Sequence, residues 1–141
     1  MDKSFTCKEF LEQNIKRIAK TGQTSDAELK SLLTCRANGE FDFILIDIRE
    51  MFEYSDASIK GCDMLLPTSS IHMNMDKLDN IKDKFIVLYC RTGNRTDQML
   101  FILRRMGFKK ISHLTEGIVQ YSGEKLKNAP IPENKNSKSS L

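Results

Sequence analysis

Cys90 stands at the end of a short apolar run, Phe85-Ile86-Val87-Leu88-Tyr89, and at the head of a polar loop, Arg91-Thr92-Gly93-Asn94-Arg95-Thr96. A long helical pattern follows, which places one thiol at the carboxyl end of a buried strand and against the amino terminus of a helix. Open α/β sheets bind ligands at such places. Helix N-termini offer free N–H groups and a partial positive charge, which favour thiolate over thiol. Cys90 is therefore the candidate nucleophile, or the carrier of a negatively charged group. Gly93 allows a backbone turn that other residues resist, so that loop N–H groups can converge on the sulfur as an anion-binding nest. Arg91 and Arg95 add forked cationic donors suited to oxyanions. Asn94 and Thr96 are placed to cap the following helix.

Cysteine phosphatases space their nucleophile and arginine as C-x5-R, a loop that encircles a phosphate. Here four residues separate Cys90 from Arg95, and Thr96 occupies the position such an arginine needs. The tighter cradle suits a sulfur atom better than a phosphate.

The elements around this loop read as follows. Residues 7–20 carry Phe10, Leu11, Ile15, Ile18 and Ala19 at helical spacing. Residues 21–24 break that helix. Ser25 and Glu28 form the signature of a capping box for a second helix, which buries Leu29, Leu32 and Leu33 and ends near Asn38-Gly39. Residues 43–47 make a strand buried on both faces. A helical turn over 51–55, a loop over 59–61 and a strand over 64–66 follow. Residues 68–81 read as a helix, 85–89 as the strand before the key loop, and 94–106 as a helix stopped by Gly107. Residues 111–114 form the last strand and 117–127 a final helix. Met64, Met99 and Met106 read as core. Asp47 and Arg49 read as an ion pair that organises the strand end beside the loop. Strands alternating with helices imply a mostly parallel sheet of about five strands with helices on both faces.

The chain has 141 residues, 40% of them hydrophobic and 29% charged, with a formal charge of +3. That balance fits one globular domain and gives no support for nucleic-acid binding. The opening residues lack the apolar stretch of a secretory signal, and no apolar run is long enough to span a membrane, so the expected location is cytoplasmic. Cys7, Cys35, Cys62 and Cys90 form no metal-binding spacing and are expected to be free thiols in a reducing compartment. His72 and His113 read as surface or internally satisfied residues. The expected organisation is an N-terminal helical extension over 1–22, a domain over 23–128 and a disordered polar tail over 129–141.

Three blocks together resemble the rhodanese family of sulfurtransferases. Cys90-Arg91-Thr92-Gly93-Asn94-Arg95-Thr96 resembles its six-residue active-site loop. Leu45-Ile46-Asp47-Ile48-Arg49-Glu50, with Glu53-Tyr54 and Ile59-Lys60-Gly61, resembles its upstream D-x-R-E pattern, and residues 114–121 its downstream L-x-G-G segment. Departures are Ser58 for the usual histidine, Lys60 for proline, Cys62 for alanine, Glu116 for a glycine and Tyr121 for tryptophan. The resemblance implies a rhodanese-like fold and double displacement through a Cys90 persulfide, with no metal or organic cofactor. It implies a small donor such as thiosulfate, and as acceptor cyanide or a thiol (thioredoxin, glutathione or a protein thiol). Arg91, Thr92, Gly93, Asn94, Arg95 and Thr96 would then bind substrate. Two other readings stay open: a cysteine phosphatase or arsenate-reductase-like enzyme on the same fold, and a persulfide carrier or redox partner that does not turn over.

Overall fold

The computed structural model describes residues 6–132. Five strands form a sheet in which every neighbouring pair is parallel: β1 (Gln23–Thr24), β2 (Ile44–Asp47), β4 (Met64–Leu65), β5 (Ile86–Tyr89) and β6 (Ile111–Leu114), in the order β1-β6-β5-β2-β4. β3 (Ser58–Ile59) and β7 (Lys125–Leu126) form a separate antiparallel ribbon. The helices are α1 (Cys7–Thr21), α2 (Asp26–Ala37), α3 (Met51–Asp56), α4 (Met75–Asp79) and α5 (Asn94–Arg105).

The continuous apolar runs of β2 and β5 divide between two cores by the period of two of a strand. Ile44, Ile46, Ile86, Leu88 and Cys90 face one core with Met99, Leu100 and Leu103 of α5 and Leu78 of α4. Phe43, Leu45, Phe85, Val87 and Tyr89 face the other with Ile18 of α1 and Leu29 and Leu32 of α2. Cys90 therefore points toward α5 because it keeps the alternation of Ile86 and Leu88.

Local chemistry sets the helix ends. Thr6 accepts from the Glu9 N–H at the start of α1, and Gly22, at φ +76°, closes it. Ser25 and Glu28 form the expected capping box of α2.

Several expectations are corrected. Gln23–Thr24, within the stretch that breaks the first helix, is an edge strand: it pairs with His113 and Leu114 of β6. The segment 68–81 is a 3-10 turn over Thr68–Asn74, kinked at Ser70, followed by the short α4. Met106 is exposed rather than core, and so are Ile102 and Phe101 on the outer face of α5. The final helix over 117–127 is replaced by a 3-10 turn over Ile118–Gln120 and by β7. The physical reason lies in what its backbone binds. Ile118 N–H donates to the Cys90 carbonyl at 3.0 Å and Val119 N–H to the Arg91 carbonyl at 3.2 Å, while Gly117 sits at φ +74°.

Nor are all four cysteines free thiols. Cys7, at the start of α1, is bonded to Cys35, near the end of α2, with Cα atoms 5.6 Å apart. The two helices pack with Ile18, Leu29 and Leu32 in one core, which brings both buried sulfurs together. Cys62 and Cys90 are free. Most of the tail expected to be disordered, residues 133–141, lies outside the described residues; within them the Pro130 carbonyl accepts from Tyr54 Oη at 3.3 Å. Among the described residues no helix is long and apolar enough to cross a membrane.

Candidate active site

β5 delivers Cys90 to the carboxyl edge of the sheet, where the side chain is almost wholly enclosed. The chain then turns through Arg91 and Thr92, both exposed, to Gly93, which takes φ +102°. A Cβ at Gly93 would lie 2.2 Å from the Thr115 carbonyl oxygen, so only glycine lets the loop close against the end of β6. Closure aims the Gly93 N–H at Cys90 Sγ, 3.2 Å away. Thr96 Oγ1 stands 3.5 Å from the same sulfur.

These contacts decide the charge of the thiol. Burial alone would push it up. The Thr96 hydroxyl and the backbone N–H groups of Thr96, Gly93 and Arg95 more than offset burial, and hold Cys90 below the ordinary thiol range. Cys62 shows the opposite balance. It is half-buried, its thiol donates to the Met64 carbonyl, and desolvation outweighs its hydrogen bonds to Tyr89, Met64 and Asp47 and pushes it up to about 12. It packs against the other core from Cys90 and is the less reactive thiol of the two.

The loop residues separate by role. Gly93, rather than Asn94 or Thr96, is the N-cap of α5, and no side chain caps it. Asn94 is an exposed first helical residue. Thr96 is buried, because its hydroxyl serves the interior: it lies 3.2 Å from the Gly93 carbonyl and 2.6 Å from His113 Nδ1. Arg95 makes a two-point ion pair with Glu53 of α3, at 3.1 and 3.0 Å. That bond, with a smaller opposing effect of burial, holds Glu53 below the usual carboxylate range. Arg91 instead opens onto a cavity of about 390 Å³ that also meets Phe52, Glu53, Val119 and Lys125.

Asp47 and Arg49 form a buried pair, with the guanidinium Nη2 2.8 Å from Asp47 Oδ2 and also donating to the Ala57 carbonyl. Asp47 is paired in register with Tyr89, so this pair sits on the strand next to the one that ends on Cys90.

Two contributors escaped the sequence reading of the site. Glu53 was visible only as part of a motif, because its partner Arg95 is 42 residues away. His113 is indeed buried and satisfied, but its partner is Thr96. The period of two in β6 was the available signal: it puts His113 on the same face as Ile111, the side where Cys90 and α5 lie. Among the described residues no cluster of side chains is suited to hold a metal ion.

The profile of the rhodanese-like domain matches residues 25–124. The chain belongs to the rhodanese-like domain family. The matched stretch runs from the cap of α2 to the residue before β7, and encloses the whole Cys90 loop. Curated relatives include a tRNA uridine(34) hydroxylase of Pectobacterium atrosepticum, 31% identical over 85 residues, covering 57% of this chain and 24% of the relative. They also include a probable adenylyltransferase/sulfurtransferase MoeZ of Mycobacterium tuberculosis, 35% identical over 78 residues, covering 55% of this chain and 20% of the relative. The match thus spans a quarter or less of either relative. Among solved structures, a rhodanese-like domain from Anabaena has a TM-score of 0.63 at 24% identity, covering 85% of this chain and 92% of that one. A rhodanese-related protein of Thermoplasma volcanium has a TM-score of 0.61 at 21% identity, covering 74% and 96%. At such identity these two likenesses establish the fold.

Proposed function

We propose that this protein is a sulfurtransferase that carries sulfane sulfur on Cys90. The observation that carries the reading is the enclosed cradle: Gly93 N–H and Thr96 Oγ1 turned on a sulfur whose ionised form they favour. Cys90 thiolate attacks the outer sulfur of a donor such as thiosulfate. The donor S–S bond breaks, sulfite leaves with the electron pair, and a Cys90 persulfide forms. An acceptor thiolate then takes the outer sulfur and Cys90 leaves again as thiolate, or cyanide takes it and departs as thiocyanate. Arg91, which lines the adjoining cavity together with Lys125 and Arg49, is the loop cation placed to meet an anionic donor. The acceptor is a small thiol such as glutathione, or a protein thiol such as thioredoxin; a cytoplasmic setting requires that the Cys7–Cys35 disulfide persist against cellular reductants.

Incubation with thiosulfate should add the mass of one sulfur atom at Cys90, removable by dithiothreitol. Cys90→Ser should take up none and should form no thiocyanate from thiosulfate and cyanide, with an unchanged circular dichroism spectrum. Sulfur uptake by Cys90→Ser would overturn the assignment. The phosphatase alternative is disfavoured by loop size, and strong Cys90-dependent hydrolysis of an aryl phosphate would reverse that ranking. A stable persulfide with negligible turnover by every small acceptor would favour the carrier reading.

A further inference from the structure

Thr96 has one hydroxyl proton and three claimants for it, one of them the Gly93 carbonyl at 3.2 Å. His113 Nδ1 lies 2.6 Å from Thr96 Oγ1 and Cys90 Sγ lies 3.5 Å from it. The other ring nitrogen fixes the tautomer. His113 Nε2 is 3.1 Å from Gln23 Oε1, a carbonyl oxygen that can only accept, so Nε2 carries hydrogen and the neutral ring leaves Nδ1 as an acceptor. Thr96 then donates to His113, the nearest of the three at 2.6 Å; the Gly93 carbonyl already accepts from the Asp97 N–H, and the sulfur is left to hold its own proton. We infer that His113 is a positioning residue that takes up the proton of Cys90 through Thr96, so that the two titrate as a coupled pair. In the forward step the Cys90 S–H bond breaks as that proton joins Thr96 Oγ1, while the original Thr96 proton joins His113 Nδ1. The products are a thiolate accepting from Thr96 and an imidazolium donating to Thr96. No electrons change owner, and every polar atom has a partner in both states.

The surroundings suit this exchange. His113 is buried in β6 at the level of Leu88, two residues before the nucleophile. From α5, Asp97 Oδ1 stands 3.9 Å from Nε2, close enough to favour an imidazolium. From β1 comes only the uncharged Gln23 amide, and the end of α1 meets the strand through the Gly22 carbonyl, which accepts from His113 N–H at 3.0 Å. Burial holds the free imidazole below its ordinary range, with Asp97 opposing, so the resting ring is neutral and able to receive a proton.

The inference rests on Cys90 as the reactive thiol, not on sulfur as its cargo, and its test needs no sulfur donor. The rate of alkylation of Cys90 by iodoacetamide is followed against pH in the full chain, with His113 ring nitrogens followed by NMR. His113→Leu should move the profile to higher pH, slowing alkylation about tenfold below the midpoint, the equivalent of one pKa unit. His113→Asn keeps an oxygen to accept from Thr96 but has no basic nitrogen, so it should slow alkylation as much; restoration of the native profile by asparagine would overturn the inference. By reciprocity, Cys90→Ser should lower the titration midpoint of His113. Thr96→Val should abolish that dependence. An unchanged His113 midpoint in Cys90→Ser would overturn the coupling even if either His113 variant proved unstable. A protein that takes no sulfur from thiosulfate yet shows these shifts would sink the proposed function and leave the relay standing.

Discussion

Arg91 and Arg95 share one loop and are held differently. Arg95 is engaged by Glu53 at two points, so its charge is already spoken for, whereas Arg91 faces the cavity. Arg91→Ala should therefore raise KM for thiosulfate by roughly tenfold, the worth of one hydrogen bond to a charged group, and leave KM for an uncharged donor unchanged. Arg95→Ala and Glu53→Gln should lower kcat for charged and uncharged donors alike, because they loosen the start of α5. Steady-state kinetics with the two donor classes separates these outcomes. The brace has a pH sign. Glu53 is held below its ordinary 4.5, so the contribution of its charged form to stability is present above that value and is lost as pH falls through the lowered one. At this scale much of the site was legible in the chain: a cysteine ending an apolar run, a glycine three residues on, and a C-x4-R spacing. The pairing of Arg95 with Glu53 was not, because the two lie 42 residues apart in sequence.

The elements around the site are tied by devices of very different legibility. Capping boxes and apolar runs are local, and α2, β2 and β5 followed from them. β1 has two polar residues and no periodicity; it is a strand because β6 offers an open edge. The segment after Gly117 reads as helical, yet it spends its N–H groups on the carbonyls of Cys90 and Arg91. Gly117→Ala tests how tight that junction is. Its Cβ would fall 2.2 Å from the Arg91 carbonyl oxygen, at φ +74°. Gly107 has φ +103° but open space around it, so Gly107→Ala carries the conformational cost alone, about 1–2 kcal/mol. Thermal unfolding should show Gly117→Ala to be clearly the less stable of the two, with Cys90 reactivity reduced in that variant only. The disulfide joins α1 to α2 across a sequence separation of 28. On the chain-entropy view, a loop of that size contributes about 3–4 kcal/mol. Thermal melts should fall on reduction in the native protein and stay unchanged in the Cys7→Ala/Cys35→Ala double variant.

For the molecule as a whole, the sheet separates two cores and the small ribbon of β3 and β7 closes over one of them. Tyr89, fully buried, links the two sheets: its hydroxyl accepts from the Ile59 N–H at 3.1 Å. Tyr89→Phe would leave that buried N–H without its acceptor and should cost about 1–3 kcal/mol. Urea unfolding at constant slope is the measurement, and a change below about 0.5 kcal/mol would show that the link is expendable. The overall class, a parallel sheet covered on both faces, followed from the alternation of apolar runs with helical patterns. The ribbon did not, because two-residue strands leave no periodic trace and their pairing joins segments more than sixty residues apart.

The enclosure of Cys90 has a consequence for traffic. With the empty sulfur almost wholly hidden, a passing thiol collides with the rim and finds nothing to exchange with. On the proposed function, a second sulfur would sit about 2.05 Å beyond Sγ. Cargo would thus be offered while the carrier atom stays withdrawn. The empty protein would be nearly invisible to its own customers, and a full one would announce itself by reach alone, so that delivery needs no lid, no moving domain and no signal beyond the length of one bond.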